Sequence, residues 1–136
     1  MRLIGKMRVR KLLKSQGHAK FRESASHAMD GIAYTVGHER NFRIEIIAAC
    51  LVTIMSYILH VSMVEWCILL LTISLVLVLE MVNTAIERAI DLVTKDYYEL
   101  AKIAKDVAAG AVLVASMFSV VLGVLIFLPK IILLFQ

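Results

Sequence analysis

Residues 67–87 read CILLLTISLVLVLEMVNTAIE. The segment begins with apolar side chains and ends with acidic and amide side chains. No charged residue occurs between Cys67 and Leu79. A helix rises 1.5 Å per residue, so about 20 residues cross a hydrocarbon core of about 30 Å. We therefore predict a membrane-spanning helix over about residues 65–90, with a polar end that lipid alone does not explain.

Two more apolar segments flank this span along the chain. Residues 44–63, IEIIAACLVTIMSYILHVSM, and residues 107–128, VAAGAVLVASMFSVVLGVLIFL, each have the length of a span. The chain is 60% hydrophobic with a mean hydropathy of +0.83, more apolar surface than one soluble core of 136 residues buries. Pro129 predicts the end of the third helix. The fold class is an all-α integral membrane protein with three transmembrane helices.

The placement of basic residues predicts the orientation. Lys and Arg are dense in residues 1–43, and residues 91–106 carry three further lysines, whereas the turn over residues 61–65 has no Lys or Arg. The positive-inside rule then places the N-terminus and the second loop in the cytoplasm. We expect a basic cytoplasmic segment over residues 1–19 and a single membrane-embedded domain over residues 20–136.

A further helix is predicted before the first span. Apolar side chains recur there at spacings of three, four and seven residues, at Phe21, Ala25, Ala28, Met29, Ile32 and Val36. An apolar stripe beside a charged face is typical of a helix in the headgroup plane, and a helix packed against the bundle is the alternative. Gly37 and Asn41 predict a turn after it.

The polar end of the second span forms one stripe. Glu80, Asn83, Glu87 and Asp91 follow each other at three, four and four residues, within about 80° of a helix circumference. Carboxylates at membrane depth are costly without a partner, so we expect a cation beside them. Oxygen ligands favour Mg²⁺, and pairing with Lys or Arg across the bundle is the alternative.

Two other charged clusters border the same membrane face. Lys105 and Asp106 stand at the start of the third span, where a lysine reaches either lipid phosphates or a bound phosphate. Glu39 precedes the first span, at the depth of Glu87 if the spans pack side by side. No GxxxxGK[ST] loop is present. Phosphoryl transfer nevertheless requires little beyond positioning, charge neutralisation and a base, which these residue types can supply.

Two strings together resemble the prokaryotic diacylglycerol kinase family: EMVNTAIE (80–87) with Asp91, and AKDVAAGAV (104–112). The resemblance runs from about Lys20 through the third span and includes ERNFR (39–43). It implies a homotrimer of three-span subunits, each with a surface helix, that uses MgATP to phosphorylate a lipid hydroxyl. The FLPK string (127–130) and the basic N-terminal extension are similar to the undecaprenol kinase branch of Gram-positive bacteria. Phosphorylation of diacylglycerol is the alternative.

The resemblance also implies roles for individual residues. Glu80 would be the general base that accepts the proton of the lipid hydroxyl, and Glu39 and Glu87 would bind Mg²⁺ and, through it, ATP. The implied nucleotide-site residues are Lys20, His27, Glu39, Glu87, Asp96, Tyr97, Tyr98, Lys105 and Asp106. The implied residues of the lipid-substrate site are Glu80, Asn83 and Ala109.

A non-enzyme class stays open at this point. Small three-span proteins with intramembrane carboxylates also serve as subunits of ion-coupled transport or as assembly factors. An ion pathway requires acidic groups near the bilayer midplane or on more than one span. Here the acidic residues gather at one cytoplasmic end, which favours a lipid kinase.

Overall fold

A computed structural model describes the backbone of residues 2–94, 96 and 98–135, and the side chains of residues 20–94, 96 and 98–135. Its helices, in chain order, are α1 (Arg2–His38), α2 (Arg40–Ile58), α3 (Met63–Val93) and α4 (Glu99–Leu133). The residues so described contain no strand. The last three helices are long and apolar enough to cross a membrane. The predicted all-helical fold with three candidate spans is confirmed.

The chain divides into two compact units, Met1–Gly37 and His38–Gln136. The first unit consists of α1, so the helix predicted over residues 21–36 is part of a longer one. Phe21 and Met29 of its apolar stripe are exposed, at 73% and 62%. The placement of this helix in the headgroup plane stays a prediction.

Within the second unit, α3 is central and packs against both α2 and α4. The apolar core of the unit lies around the α2–α3 turn, where Val61, Leu69 and Phe127 are buried together. Ser62 begins α3 with a reciprocal cap. Its backbone N–H donates to Glu65 Oε2 at 2.6 Å, and the Glu65 N–H donates to Ser62 Oγ at 3.3 Å. This end of the bundle is therefore closed by apolar packing and a helix cap.

The bounds of α4 differ from the sequence prediction at both ends. The helix begins at Glu99, before the apolar segment, since good helix formers such as Leu100 and Ala101 extend it beyond the hydrocarbon. The predicted stop at Pro129 is wrong, because α4 continues through that residue to Leu133. Proline has a φ angle compatible with a helix and removes only one hydrogen bond, and α4 has only one turn left to form beyond it.

Candidate functional site

The start of α2, the end of α3 and the start of α4 meet at one end of the second unit. Two ion pairs join them. Arg88 Nη2 lies 2.8 Å from Glu39 Oε1, and Lys105 Nζ lies 2.5 Å from Asp91 Oδ1. Glu39 is the residue that caps α2, so its pair with Arg88 fixes the start of α2 against α3. The three charged clusters of the sequence therefore lie at a common depth.

The polar stripe of α3 is buried where it enters the membrane. Glu80 is 3% exposed, Asn83 8% and Thr84 5%. Asn83 Nδ2 donates a hydrogen bond of 3.2 Å to Glu87 Oε1 one turn later. The other amide atom, Asn83 Oδ1, is buried and has no hydrogen-bond partner among the described residues. One acceptor at the centre of the stripe is thus available to a ligand.

Glu80 lies close to other carboxylates. Glu87 on α3, and Glu39 and Glu45 at the start of α2, all lie within electrostatic range of it. None of the ion pairs formed by the described part of the chain includes Glu80. The alternative of pairing with basic side chains therefore holds for Glu39 and Asp91 but not for Glu80.

Asn41, predicted to lie in a turn, is in the first turn of α2. Sequence reasoning assigned no site role to Glu45, which lies within the apolar segment of residues 44–63. Glu45 Oε2 is buried without a hydrogen-bond partner in the described residues. Its side chain lines an open-sided cavity of about 560 Å³ between α2, α3 and α4, which otherwise has mostly aliphatic walls such as Val52 and Val76. An acid interrupting an apolar run was the available signal for Glu45.

The predicted residues of the α3–α4 loop and α4 are mostly exposed. Asp106 and Ala109 are exposed on α4, and Tyr98 is 58% exposed where that helix begins. The backbone N–H of Asp96 donates to Thr94 Oγ1 at 3.1 Å. Tyr97 lies outside the described residues.

Two predicted nucleotide-site residues lie on α1, in the first unit. Lys20 is exposed, and His27 Nδ1 lies 3.9 Å from Asp30 Oδ2 with both side chains about three quarters exposed. The roles of Lys20 and His27 stay predictions.

A known protein family matches the part of the chain that contains these residues. The family model of prokaryotic diacylglycerol kinase matches residues 26–127, which include α2, α3 and most of α4. The chain belongs to the prokaryotic diacylglycerol kinase family. The family is one of lipid kinases, so this chain is a lipid kinase. Its membership decides against the transport and assembly alternative.

The relatives of this chain are named after two different lipid substrates. The chain is 47% identical over 111 residues to undecaprenol kinase of Bacillus subtilis, an alignment that covers 82% of this chain and 90% of that protein. It is 43% identical over 107 residues to a diacylglycerol kinase of Synechocystis, covering 78% of this chain and 61% of the relative. Diacylglycerol kinase of Escherichia coli K12 is 30% identical over 105 residues, which are 77% of this chain and 86% of that protein.

Proposed function

We propose that the protein transfers the γ-phosphoryl group of ATP to the hydroxyl of undecaprenol at the cytoplasmic face of the membrane. One observation carries this choice of substrate: the undecaprenol kinase of B. subtilis is 47% identical and aligned over 90% of its length. Diacylglycerol is the second candidate, because relatives of that name are 43% and 30% identical. The basic residues near the polar end support its cytoplasmic orientation.

The oxygen atoms at this end of the bundle suit a magnesium ion. Glu39 and Glu87 offer carboxylate oxygens, and Asn83 Oδ1, without a partner in the described part of the chain, is a further hard ligand. No three His, Cys, Asp or Glu side chains in the described part of the chain are arranged to hold a metal by themselves. Mg²⁺ characteristically uses one or two carboxylates together with substrate phosphates, so this donor set fits an ion that arrives with ATP. When bound, the ion neutralises charge on the phosphates.

The proposed chemistry of the chain begins at Glu80. Its carboxylate accepts the hydroxyl proton as the alcohol oxygen forms a bond to the γ-phosphorus. The bond between that phosphorus and the bridging oxygen breaks, and ADP leaves with the electron pair. Lys105 supplies positive charge to the nucleotide phosphates, and Asp91 holds its ammonium group until the nucleotide binds. Glu80, buried at 3% exposure, meets a hydroxyl that lies at the edge of the hydrocarbon.

The test uses the full-length protein purified in detergent micelles. Transfer of radiolabelled γ-phosphate is measured with undecaprenol and, side by side, with diacylglycerol. We expect Mg²⁺-dependent formation of undecaprenyl phosphate, and a loss of at least about a hundredfold in Glu80→Gln, since a general base contributes about 10² to 10⁴ in rate. Glu23→Gln, the same change on an exposed residue of α1, serves as the matched control and keeps wild-type activity.

Three results would contradict the proposal. Equal or faster phosphorylation of diacylglycerol would remove undecaprenol as the substrate. Full activity of Glu80→Gln would eliminate Glu80 as the base, and transfer without Mg²⁺ would eliminate the metal. Assembly into a homotrimer, which the family resemblance implies, is checked on the same sample by light scattering of the protein–detergent complex.

A further inference from the structure

We infer that Arg88 binds a phosphate of the nucleotide, and that Glu39 holds the Arg88 guanidinium until Glu39 binds the metal instead. The inference rests on the proposed function, in which Glu39 and Glu87 bind Mg²⁺ and, through it, ATP. Arg88 lies on α3 and is absent from the set of nucleotide-site residues that the sequence predicted. It would be a further nucleotide-binding residue.

The ion pair between Arg88 and Glu39 is the first observation. Arg88 Nη2 lies 2.8 Å from Glu39 Oε1 and donates a hydrogen bond to it. Arg88 also follows Glu87 directly in the chain, so its side chain extends from a backbone position beside one proposed metal ligand to the other. A carboxylate oxygen that Mg²⁺ would use therefore has a guanidinium as its partner in this structure.

The negative charge around Glu39 is the second observation. Glu39, Glu45 and Glu87 all lie within electrostatic range of Glu80. Carboxylates gathered at membrane depth are costly without a cation beside them. Arg88 supplies one positive charge to this group. Mg²⁺ carries two charges in a smaller volume and prefers oxygen ligands, so Glu39 exchanges the guanidinium for the metal when MgATP binds.

The exposure of Arg88 is the third observation, and it indicates where the guanidinium goes after this exchange. The Arg88 side chain is 51% exposed, whereas that of Glu39 is 20% exposed, so Arg88 is the partner more accessible to water and to a nucleotide. A planar guanidinium can donate two parallel hydrogen bonds to a phosphate. A phosphate therefore replaces the negative partner that Arg88 loses at Glu39.

A comparison with the other ion pairs between helices supports this assignment. At the same end of the unit, Lys105 is 35% exposed and pairs with Asp91, and the proposed function already moves it from this carboxylate to a phosphate. The pair of Lys130 with Glu65 involves the start of α3, beside the apolar core, and both its side chains are about three quarters buried. The more exposed basic partners thus belong to the end where the nucleotide is proposed to bind.

The test measures equilibrium binding of a non-hydrolysable ATP analogue to the full-length protein in detergent micelles with Mg²⁺. In Arg88→Gln we expect the Kd to rise at least about fivefold, because a charge-assisted contact with a phosphate is lost. Arg88→Lys keeps the charge but not the planar donor group, so it recovers part of the affinity. Adenosine, which has no phosphate, is expected to bind equally to wild type and Arg88→Gln.

Arg40→Gln is the matched control, because it removes one positive charge from an exposed residue next to Glu39. We expect its Kd for the analogue to equal that of wild type. If the pair only joins α2 to α3, Arg88→Gln lowers the unfolding temperature and keeps the wild-type Kd, which would overturn the inference. An equal rise of Kd in Arg40→Gln would also overturn it, since net charge would then explain the effect. If Arg88→Gln is unfolded in the same detergent, Arg88→Met applies the same test.

The exchange at Glu39 has a separate test in EDTA, without metal. Glu39→Gln releases Arg88, so we expect the metal-free analogue to bind more tightly than it does to wild type, and this gain to disappear when Arg88→Gln is added. Glu87→Gln removes an equal charge but leaves the pair intact, so its effect is expected to be the same with and without Arg88→Gln. No gain in Glu39→Gln, or a gain that persists in the double variant, would overturn the exchange.

The failure of this inference and that of the proposed function are distinguishable. A wild-type protein that phosphorylates no lipid alcohol, or a fully active Glu80→Gln, contradicts the proposed function. An active wild type whose Arg88→Gln variant binds the analogue with unchanged Kd contradicts the role of Arg88 alone.

Discussion

Replacement of Asn83 by leucine is expected to lower activity while leaving the stability of the bundle nearly unchanged. Asn83 is 8% exposed and donates through Nδ2 to Glu87 Oε1, and its Oδ1 has no hydrogen-bond partner among the described residues. Leucine has a similar volume and no polar atom. Asn83→Leu therefore removes a buried acceptor that lacks a partner and, at the same time, releases the Glu87 carboxylate.

The magnitudes follow from these two contacts. A buried polar group without a partner costs about 1–3 kcal/mol, which the leucine recovers. A hydrogen bond to a charged group contributes about 1.5–3 kcal/mol, but the half-buried Glu87 regains part of this from water. The two contributions nearly cancel, so we expect the free energy of unfolding to change by less than about 2 kcal/mol, in the stabilising direction or not at all. The loss of the hydrogen bond that orients Glu87, by contrast, is not compensated by any new contact of the leucine.

For activity, the loss of a contact of about 1.5–3 kcal/mol corresponds to a factor of about ten to a hundred. If Glu87 and Asn83 Oδ1 bind Mg²⁺ as proposed, the Mg²⁺ concentration for half-maximal activity rises by at least this factor in Asn83→Leu, because the change also removes one proposed ligand. The assay titrates Mg²⁺ at saturating ATP and lipid alcohol, and thermal unfolding in the same detergent reports stability. Val82→Leu, a neighbouring change at a 47% exposed side chain, is the control and leaves both quantities unchanged.

Two results would refute the reasoning on Asn83. A clear fall in the unfolding temperature of Asn83→Leu would show that Oδ1 has a partner whose loss is costly. An unchanged Mg²⁺ dependence would show that the amide does not position a metal ligand.

Two further changes test contacts at opposite ends of the bundle. Asp91→Asn releases the Lys105 ammonium from a partner 2.5 Å away, so the KM for ATP falls by up to about fivefold, as a half-exposed pair of about 0.2–1 kcal/mol predicts. A raised KM for ATP in steady-state kinetics would contradict a role of Lys105 at a phosphate. Glu65→Gln breaks a 3.1 Å pair with Lys130 and lowers the unfolding temperature slightly, with unchanged kcat. In a double-mutant cycle with Lys130→Met, strict additivity of the two losses would show that the pair contributes nothing.

The spans and the polar stripe could be predicted from the sequence because each is a property of a single helix. Span length follows from the rise per residue, and the shared face of Glu80, Asn83 and Glu87 follows from helical periodicity. Even the pairing of Glu39 with a residue beside Glu87 follows once the spans are packed side by side. Pro129 failed as a stop because a proline near the end of a helix removes a single hydrogen bond and leaves the φ angle acceptable.

The burial of the Glu45 carboxylate was not predictable in the same way. It depends on the rotation of α2 about its own axis relative to α3, and the periodicity of either helix leaves that angle free. Asn83 Oδ1, which has no hydrogen-bond partner among the described residues, is equally a result of packing, because packing determines which of the two amide atoms finds a partner.

The two ends of the second unit are held by different forces, and the difference bears on function. Near the α2–α3 turn, Val61, Leu69 and Phe127 pack together. At the other end, two ion pairs join the helices, and an amide–carboxylate hydrogen bond within α3 orients Glu87. Lipid chains are as apolar as leucine, so apolar packing in a membrane gives little positional specificity, whereas a hydrogen bond fixes both distance and direction. A kinase that must align a lipid hydroxyl with a nucleotide needs this specificity only where membrane meets water. In the proposed function, the stripe from Glu80 to Asp91 provides it there.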